Sequence, residues 1–461
     1  GGTYLVELAA DGSSDLIAVT GTAHLGGDVA IASGSTYALG NTYTILTAGT
    51  VDGEFDTEQM ALSLFANATL QYEPGAVELS IDKARSFASA GITANQRAVG
   101  FALDQMPGGN PIVDAVTSLQ ALGAAQQAFN ALSGEVYASA DTVLQQQSIY
   151  VRQAVGSRLR ELTTAPAFQP LAYATKAPAT AKLAPDLAPT LWAQGYGGWG
   201  EGFSDGNAAT ISNTIGGFLI GADVALLDNV RAGMFGGYSR STFDVDSRSS
   251  SGDMDNYDLG LYAGAQFGAV AARAAFAYAW HDVSVDRIVS FPGFAQALSG
   301  GYSNGSFQLF GELGYDMSLG AYAFEPFVGI AYLSIDGASF RETGGSAALW
   351  VNTDSMSTTY TTLGVRAATT LDVYGHALTP SMTLGWQHAF GDTSPTAAML
   401  FSGGTVPFQV AGAPVAEDAL LVEAGLGYAL SGAAALAVTY SGQLATGASQ
   451  NAFNAQFSLK F

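Results

Sequence analysis

The sequence has 461 residues, of which 48% are hydrophobic and only 12% are charged, and its net charge is −23. Soluble domains average about a quarter charged residues, and disordered chains are poor in aromatics, whereas this chain has 25 Phe and 20 Tyr. The acidic balance argues against a nucleic-acid partner, which needs a basic surface. Because the sequence has no Cys, disulfides, thiolate metal sites and cysteine nucleophiles are excluded.

The sequence contains no run of about 18 apolar residues, so we expect no membrane-spanning helix. It opens on Gly1-Gly2-Thr3-Tyr4 without a signal peptide, and we expect this start to lie inside a longer protein. Two classes remain for so hydrophobic a chain. One is a large soluble β protein, and the other is a membrane barrel, whose alternating strands escape a hydropathy window.

Residues 1–85 alternate short β-type runs with Gly and Asx turns, as in Tyr4-Leu5-Val6 and Tyr43-Thr44-Ile45. Runs this short suit the coils of a β-solenoid or a small sandwich, and an ordinary β domain fits the pattern equally well.

Residues 86–162 are predicted to be helical. Thr93 and Gln96 have capping-box spacing, and Asn110-Pro111 is typical of a second helix start. Ser133 can cap a third helix over about residues 135–161, which would be about 40 Å long, close to a bilayer with its interfaces. That helix carries too many Gln and Arg residues to face lipid. It fits a polar, water-lined tube, and a surface helix of a bundle is the alternative.

A linker of Ala, Pro and Thr follows at residues 163–189, and its composition predicts an extended chain.

From Leu191 onward, apolar and polar residues alternate with the period of two that strands require. Near the end of the chain, Phe457, Leu459 and Phe461 fall on one face, and Ser458 and Lys460 fall on the other. Twelve such segments are predicted, at residues 191–201, 213–226, 229–242, 254–268, 270–285, 302–319, 321–336, 356–371, 375–391, 417–430, 433–445 and 451–461.

The connections between these segments alternate between short and long. Long connections are expected at 202–212, 243–253, 286–301, 337–355 and 392–416, with a shorter one at 446–450. Strands long enough to cross a bilayer, with short turns on one rim and long loops on the other, are typical of an outer-membrane barrel and not of a sandwich. The pattern therefore predicts an all-β fold, a 12-stranded antiparallel transmembrane barrel over residues 190–461. Interior glycines such as Gly221 and Gly260 would mark close approaches, and Trp192, Tyr196 and Trp199 would join aromatic girdles.

A β segment, a polar helix of bilayer length, twelve strands and a terminal Phe461 together resemble the autotransporter (type V secretion) family. Other family-like runs are Leu191-Trp192-Ala193-Gln194-Gly195 at barrel entry and Gly40-Asn41-Thr42-Tyr43 in the first segment. The resemblance implies that residues 1–85 end a β-helical passenger and that the helix within 86–162 threads the barrel. It also implies that Phe457, Leu459 and Phe461 form the signal read by the barrel-assembly machinery.

The family resemblance further implies a monomeric barrel in the outer membrane of a Gram-negative bacterium. Its partners would be the lipid bilayer, lipopolysaccharide, periplasmic chaperones and its own passenger. Some relatives cut themselves between two adjacent Asn residues in the helix. This sequence has no Asn-Asn pair, so no such cut is expected.

Charged groups inside a wet lumen are tolerable where they would be costly against lipid. We therefore expect three arginines of the long helix to pair with lumen carboxylates and hold the helix as a plug. The arginines are Arg152, Arg158 and Arg160, and the carboxylates are Asp258, Glu312, Asp316 and Glu423.

No enzyme motif, cofactor site or metal-ligand spacing is found, and the four His residues are scattered. The sequence thus predicts a non-enzymatic translocator that exports its own passenger. The alternatives are an outer-membrane channel or porin, and an enzyme or adhesin whose activity resides in a passenger upstream.

Overall fold

A closed barrel dominates the computed structural model, which describes residues 1–163 and 189–460, apart from the side chains of residues 162 and 163. Its sheet contains 14 strands among the described residues, and two of these, β16 and β21, are short continuations of their neighbours, which leaves twelve. The wall strands are β10 (Thr190–Gly202), β11 (Ile211–Leu227), β12 (Val230–Val245), β13 (Ser250–Phe267), β14 (Val270–Phe291), β15 (Phe294–Tyr315), β16 (Met317–Leu319), β17 (Tyr322–Ile335), β20 (Met356–Thr369), β21 (Leu371–Val373), β22 (His376–Gly391), β25 (Asp418–Ala429), β26 (Ala434–Leu444) and β27 (Ala448–Lys460).

The barrel closes where its first and last strands pair. β10 runs antiparallel to β27, with Thr190 opposite Lys460 and Gly202 opposite Ala448. Every other neighbouring pair in the wall is also antiparallel, so the sheet has no free edge. The predicted twelve-stranded antiparallel barrel is confirmed, and a single chain supplies all twelve strands of its wall.

The two faces of the wall are inverted relative to a soluble protein. Apolar side chains such as Leu261, Ile330 and Leu363 are more than half exposed on the outside. Polar side chains such as Gln308 and Gln387 are buried inside. Period-two alternation places successive side chains on opposite faces, so one apolar face can meet lipid while the other lines the lumen.

The long connections contain more structure than the sequence predicts. The expected loops at 243–253 and 286–301 are mostly strand, because β12 to β15 continue as two hairpins beyond the apolar band. Inward-facing Val283, Val285 and Val289 continue the alternation there and join an apolar cluster with Phe129.

The remaining long connections build a small sheet over the loop rim. It contains β18 (Ser339–Arg341), β19 (Leu349–Thr353), β23 (Thr396–Phe401) and β24 (Phe408–Ala411), in the order β18-β19-β23-β24. We call this sheet the cap. Its inner residues, including Leu349 and Met399, share one apolar cluster with the helices that precede the barrel.

Four helices precede the barrel in the described part of the chain, and none of them is long and apolar enough to cross a membrane. They are α1 (Ala94–Asp104), α2 (Pro111–Thr117), α3 (Leu122–Leu132) and α4 (Val136–Thr163). The predicted capping box is confirmed, since Thr93 Oγ1 accepts from the Gln96 backbone N–H and the Gln96 side chain accepts from the Thr93 N–H. The predicted Asn110 cap with Pro111 at the first helical position is confirmed as well.

The residues before the helices form three small sheets. Their strands are β1 (Thr3–Val6), β2 (Ile17–Ala18), β3 (Thr22–His24), β4 (Asp28–Ile31), β5 (Thr42–Thr47), β6 (Thr50–Asp52), β7 (Gln59–Ala61), β8 (Ala66–Glu73) and β9 (Ala76–Lys83). β1 pairs with β4, β2 with β5 and β3 with β6, and all three pairs are parallel. β1, β2 and β3 thus each pair with the strand three places later in the chain, which is the spacing of stacked coils with three strands per coil. β7, β8 and β9 then close this region as an antiparallel meander beside β5.

Aromatic rings lie over glycines inside the lumen. A Cβ on Gly260 would lie 2.3 Å from Phe235 Cε1, and one on Gly221 would lie 2.6 Å from Trp192 Nε1. The expectation that Trp192 and Tyr196 join an outer girdle is wrong, since both rings are buried in the lumen. Trp199, on the opposite face of β10, does point outward.

Candidate functional site

The candidate site is the interface between α4 and the inner wall of the barrel. α4 begins beside the cap at the loop rim and ends near the short-turn rim, where β10 starts. Side chains from β11, β12, β15, β20, β25, β26 and β27 all reach it. The helix therefore lies in the lumen, as its polar sequence predicts.

Gly134 sets the direction of α4. It joins α3 to α4 with a φ of +67°, a conformation that glycine adopts without strain. A Cβ at this position would lie 2.6 Å from the Leu349 side chain of the cap. The predicted role of Ser133 is only partly correct, because this residue ends α3 while its Oγ accepts from the Glu135 N–H.

One stripe of α4 is apolar, which the sequence analysis did not anticipate. Its residues pack on apolar side chains of β10 to β14 and form a single buried cluster with them. The helix contributes Ile149, Tyr150, Val151, Ala154, Val155 and Leu159, and the wall contributes Trp192, Tyr196, Ile215, Leu219, Phe235 and Tyr262 among others. The spacing of the helical residues is the signal that could have revealed it, since positions four apart share one face.

A layer of glutamines holds the middle of α4. Gln145 Nε2 donates to Thr358 Oγ1 at 2.5 Å, and Gln147 Nε2 donates to Asn213 Oδ1 at 3.2 Å. Gln146 Oε1 accepts from Gln450 Nε2 at 2.6 Å. Gln147 is hydrogen-bonded at both ends of its amide, whereas Gln145 Oε1 and Gln146 Nε2 have no partner among the described residues, which is costly for buried polar groups.

Arg158 forms a buried ion pair between helix and wall. Its Nε donates to Asp223 Oδ2 at 2.8 Å, and its Nη1 donates to Glu161 Oε2 at 2.7 Å. Asp223 also accepts from Arg231 Nη2 at 2.6 Å and from the Tyr262 hydroxyl at 3.0 Å. The side chains of Arg158 and Asp223 are almost fully buried, so this ion pair is shielded from water and joins α4 to β11. We call it the lock.

The other two arginines of the predicted set behave differently from each other. Arg160 lies 3.6 Å from Glu423, so the structure brings these two predicted residues together. Arg152 contacts no carboxylate among the described residues. Its Nη1 donates to Ser148 Oγ at 2.8 Å and to Gln308 Oε1 at 3.0 Å, and its guanidinium lies over the Tyr360 ring.

The prediction that Glu312 pairs with the plug differs from the structure. Glu312 instead belongs to a cluster of four charged residues on the wall. Arg273 Nη1 is 2.6 Å from Glu312 Oε1 and 2.7 Å from Glu325 Oε1. Arg366 is 2.5 Å from Glu312 and 2.6 Å from Glu325. Arg273 on β14 and Arg366 on β20 flank the two strands that carry these carboxylates and form their ion pairs, while Arg160 of the helix adds only a longer-range electrostatic interaction with Glu312.

Asp258 and Asp316 also lie apart from the arginines of the helix. No described arginine lies within ion-pair distance of Asp258, which sits on β13 near Tyr196. Asp316 follows β15 at the short-turn rim and accepts from Gln266 Nε2 at 2.9 Å. Sequence reasoning missed the true partner, Asp223, although its alternation with Leu219 on β11 places it on the inner face.

A second set of buried ions fixes the chain at the loop rim. Glu342, which follows cap strand β18, accepts hydrogen bonds from Arg287 Nε at 2.5 Å and from the Tyr137 hydroxyl at 2.8 Å. Arg248 Nε lies 3.0 Å from Glu135 Oε1, at the start of α4. Burial raises the pKa of Glu135, and Arg248 opposes that shift.

The polar side of α4 leaves a gap against the opposite wall. The gap consists of two adjoining cavities of about 90 and 120 Å³, which share Gln153, Arg160, Arg366, Thr383 and Glu423 in their linings. We call it the crevice. Towards the loop rim it narrows to about 10 Å³ between Arg152, Tyr360, Gln145 and Gln443.

The predicted assembly signal lies at the barrel seam. Phe457 and Leu459 are on β27 and face outward, while Phe461 lies outside the described residues. In the described part of the chain, no group of three or more His, Cys, Asp or Glu residues is placed to hold a metal ion.

Comparisons with known proteins agree with this geometry. The family model described as "Autotransporter beta-domain" matches residues 191–441. Two proteins from Serratia marcescens, both called "Extracellular serine protease", are 29% and 28% identical over 514 aligned residues, covering 100% of this chain and 48% of each relative. The chain thus spans about half the length of the curated relatives that it matches.

One solved structure supports the fold. The "Translocator domain of autotransporter NalP from Neisseria meningitidis" has a TM-score of 0.50 and 14% identity, covering 70% of this chain and 98% of that one. Over half of the sequence matches the family model, and the wall closes with the same kind of architecture. The chain therefore belongs to the autotransporter β-domain family, and its barrel is a translocator of the Gram-negative outer membrane.

Proposed function

We propose that this barrel exports an N-terminal passenger to the cell surface and then anchors it there, with α4 remaining in the lumen. The observation that carries the proposal is the path of the chain. Residues before Val136 lie at the loop rim, α4 runs down the lumen, and β10 begins at the opposite rim. A polypeptide that is exported through its own barrel must have its passenger on one side and its first strand on the other.

The chain then divides into four functional parts, which remain proposals. Residues 1–85 would be the C-terminal end of a β-helical passenger, and residues 86–162 would be the helical segment that enters the barrel. The Pro/Ala-rich linker at 163–189 falls almost entirely outside the described residues. Residues 190–461 would form the translocator. The parallel pairing of β1, β2 and β3 with β4, β5 and β6 supports the β-helical assignment of the first part.

This first part would help the passenger to fold. Stacked repeats propagate order from a folded neighbour, so coils that are already attached to the helical segment would template the next ones. Contacts that hold them include the hydrogen bond from Leu64 N–H to the Leu119 carbonyl, at 2.9 Å, and the edge-to-face pair of Phe65 and Phe87.

Insertion of the barrel would require the barrel-assembly machinery and periplasmic chaperones. The outward-facing Phe457 and Leu459 on the last strand, followed by Phe461, are the residues proposed to be read by that machinery. The bilayer and lipopolysaccharide would then surround the exposed apolar band.

Surface display of a tag tests the export proposal. A peptide tag placed before Gly1 should be cleaved by protease added to intact cells. The same tag inserted between Tyr374 and Gly375, at a fully exposed short turn, should stay protected in the same cells. A plain channel would keep both tags inside. A heat-modifiable barrel in the outer membrane with a protected N-terminal tag would therefore contradict export.

We further propose that the exported passenger is a serine protease. The supporting observation is that the similarity to the two Serratia proteins extends over the whole chain and not only over the barrel. Hydrolysis of casein by intact cells that express the full reading frame, blocked by a serine-directed inhibitor, is the expected result. Surface display without inhibitor-sensitive hydrolysis would reject the protease and leave the export proposal intact.

A further inference from the structure

The crevice and its narrow end lead to a property distinct from export. α4 is not centred in the lumen, because its apolar stripe packs on β10 to β14 while its polar side faces β17 to β26. The crevice on that polar side reaches from Thr379 and Gln456, near the short-turn rim, up to the level of Arg152.

A third, smaller cavity adjoins Arg152 on the side of the loop rim. The narrow part is also lined by Val415 and Ala416, which precede β25, and by Ala445 and Ala448 at the short connection between β26 and β27. A volume of about 10 Å³ is roughly the space that one water molecule requires. Its lining includes Gln145 of α4 and Gln443 and Gln450 of the wall, long side chains held by hydrogen bonds, so rotation of one of them can widen the passage.

The charges along this path are unevenly balanced. In the wider part, the described arginines other than Arg152 lie beside carboxylates: Arg160 near Glu423, and Arg273 and Arg366 beside Glu312. At the narrow end the charged group is Arg152, whose described partners are two neutral oxygens and the face of Tyr360. The guanidinium stays protonated at any physiological pH. The constriction therefore carries one uncompensated positive charge.

We propose that the plugged barrel conducts small inorganic anions through the crevice, and that Arg152 is the residue that determines this selectivity. A fixed positive charge at a constriction attracts anions and repels cations from the step that limits their passage. Even at the dielectric constant of water, a unit charge about 4 Å away enriches a monovalent anion roughly five-fold. The same charge depletes a cation by a similar factor, so chloride should carry most of the current.

Planar bilayers with a KCl gradient test this proposal on the full chain. The parent should show small, steady currents whose reversal potential indicates chloride over potassium by roughly 25-fold. Arg152→Gln should bring the permeability ratio close to one, and Arg152→Glu should reverse it. Arg341→Gln, an exposed cap residue that stacks on Trp350, is the matched control and should match the parent.

Two results would overturn the proposal. One is a parent protein that conducts no more than a protein-free bilayer. The other is a reversal potential that is the same in the parent and in Arg152→Glu while both barrels remain folded on heat-modifiability gels. Surface display of the passenger should be unchanged in all these variants, so failure here is distinguishable from failure of the export proposal.

Discussion

The lock between Arg158 and Asp223 gives the sharpest prediction about the plug. We consider the Asp223→Asn variant, which keeps the shape of the side chain and removes its charge. The Asp223 side chain is fully buried and accepts from Arg158, Arg231 and the Tyr262 hydroxyl. An amide can accept on one atom only, so two guanidinium groups lose their shared counter-charge.

The free-energy cost of Asp223→Asn depends on the interactions that Arg158 and Arg231 keep after the carboxylate is lost. Removing one partner from a buried ion pair costs about 3 to 5 kcal/mol. Arg158 keeps Glu161 at 2.7 Å, and the Arg231 side chain is 20% exposed to water, so we expect the lower end, about 3 kcal/mol. That corresponds to roughly a hundredfold shift from the docked towards the undocked plug.

Single-channel recording on purified, refolded protein measures this shift. Asp223→Asn should show large openings about a hundred times more often than the parent, far above the small current carried by the crevice. Asp228→Asn lies on the exposed turn that joins β11 to β12 and is the control. If both variants are folded and open equally rarely, Asp223 does not hold the plug and our account of the lock is wrong.

Three further predictions concern packing and charge. Gly260→Ala places a methyl group against the Phe235 ring, so we expect a lower yield of heat-modifiable barrel, whereas Gly216→Ala enters open space and should fold normally. Val155→Glu buries a charge in the apolar stripe at a cost of several kcal/mol, and frequent large openings should follow. Burial alone would raise the pKa of Asp104, but hydrogen bonds from Lys83 and nearby groups lower that pKa overall. The ionised Asp104 therefore stabilises the fold above about pH 4, and this stabilisation is lost at lower pH. Asp104→Asn should cost about 2 kcal/mol of stability at pH 7, measured by proteolysis of the N-terminal region.

Controls for the last two predictions use neighbouring positions. Gln153→Glu adds the same charge to α4 on the side of the crevice, and it should open the barrel less often than Val155→Glu. Asp82→Asn lies on an exposed part of β9 and should leave protease resistance unchanged at pH 7. If Val155→Glu and Gln153→Glu open equally often, the packing of the apolar stripe does not hold α4. If Asp104→Asn and Asp82→Asn are equally resistant to protease, the ion pair between Lys83 and Asp104 does not stabilise the N-terminal region.

The barrel was predictable because its signal is regular and repeated. A period of two, strands of bilayer length and alternating short and long connections fixed twelve strands to within a few residues at most ends. The extended hairpins were missed because the polar turns within 243–253 and 286–301 resemble loops, although the inward-facing Val283, Val285 and Val289 continue the strand pattern. The cap was also missed, since its strands are only three to six residues long and its two hairpins, one in each of two loops, come together through the pairing of β19 with β23.

The plug contacts were harder to predict, and for a different reason. Alternation identifies which residues face the lumen, but not the height at which each lies or how the helix is rotated. Register between strands decides the height, and the apolar stripe decides the rotation. Glu312 was therefore assigned to the plug when Arg273 and Arg366 already flank it, and Asp223 was overlooked.

The cap has a consequence for whatever approaches the cell from outside. An antibody, a bacteriophage tail or a bulky antibiotic would meet a roof of four short strands, pinned underneath by the buried contact between Arg287 and Glu342, and not the mouth of a tube. Binding agents raised against intact bacteria should accordingly recognise features such as the exposed Trp350 with its neighbour Arg341, and not the buried lumen residues.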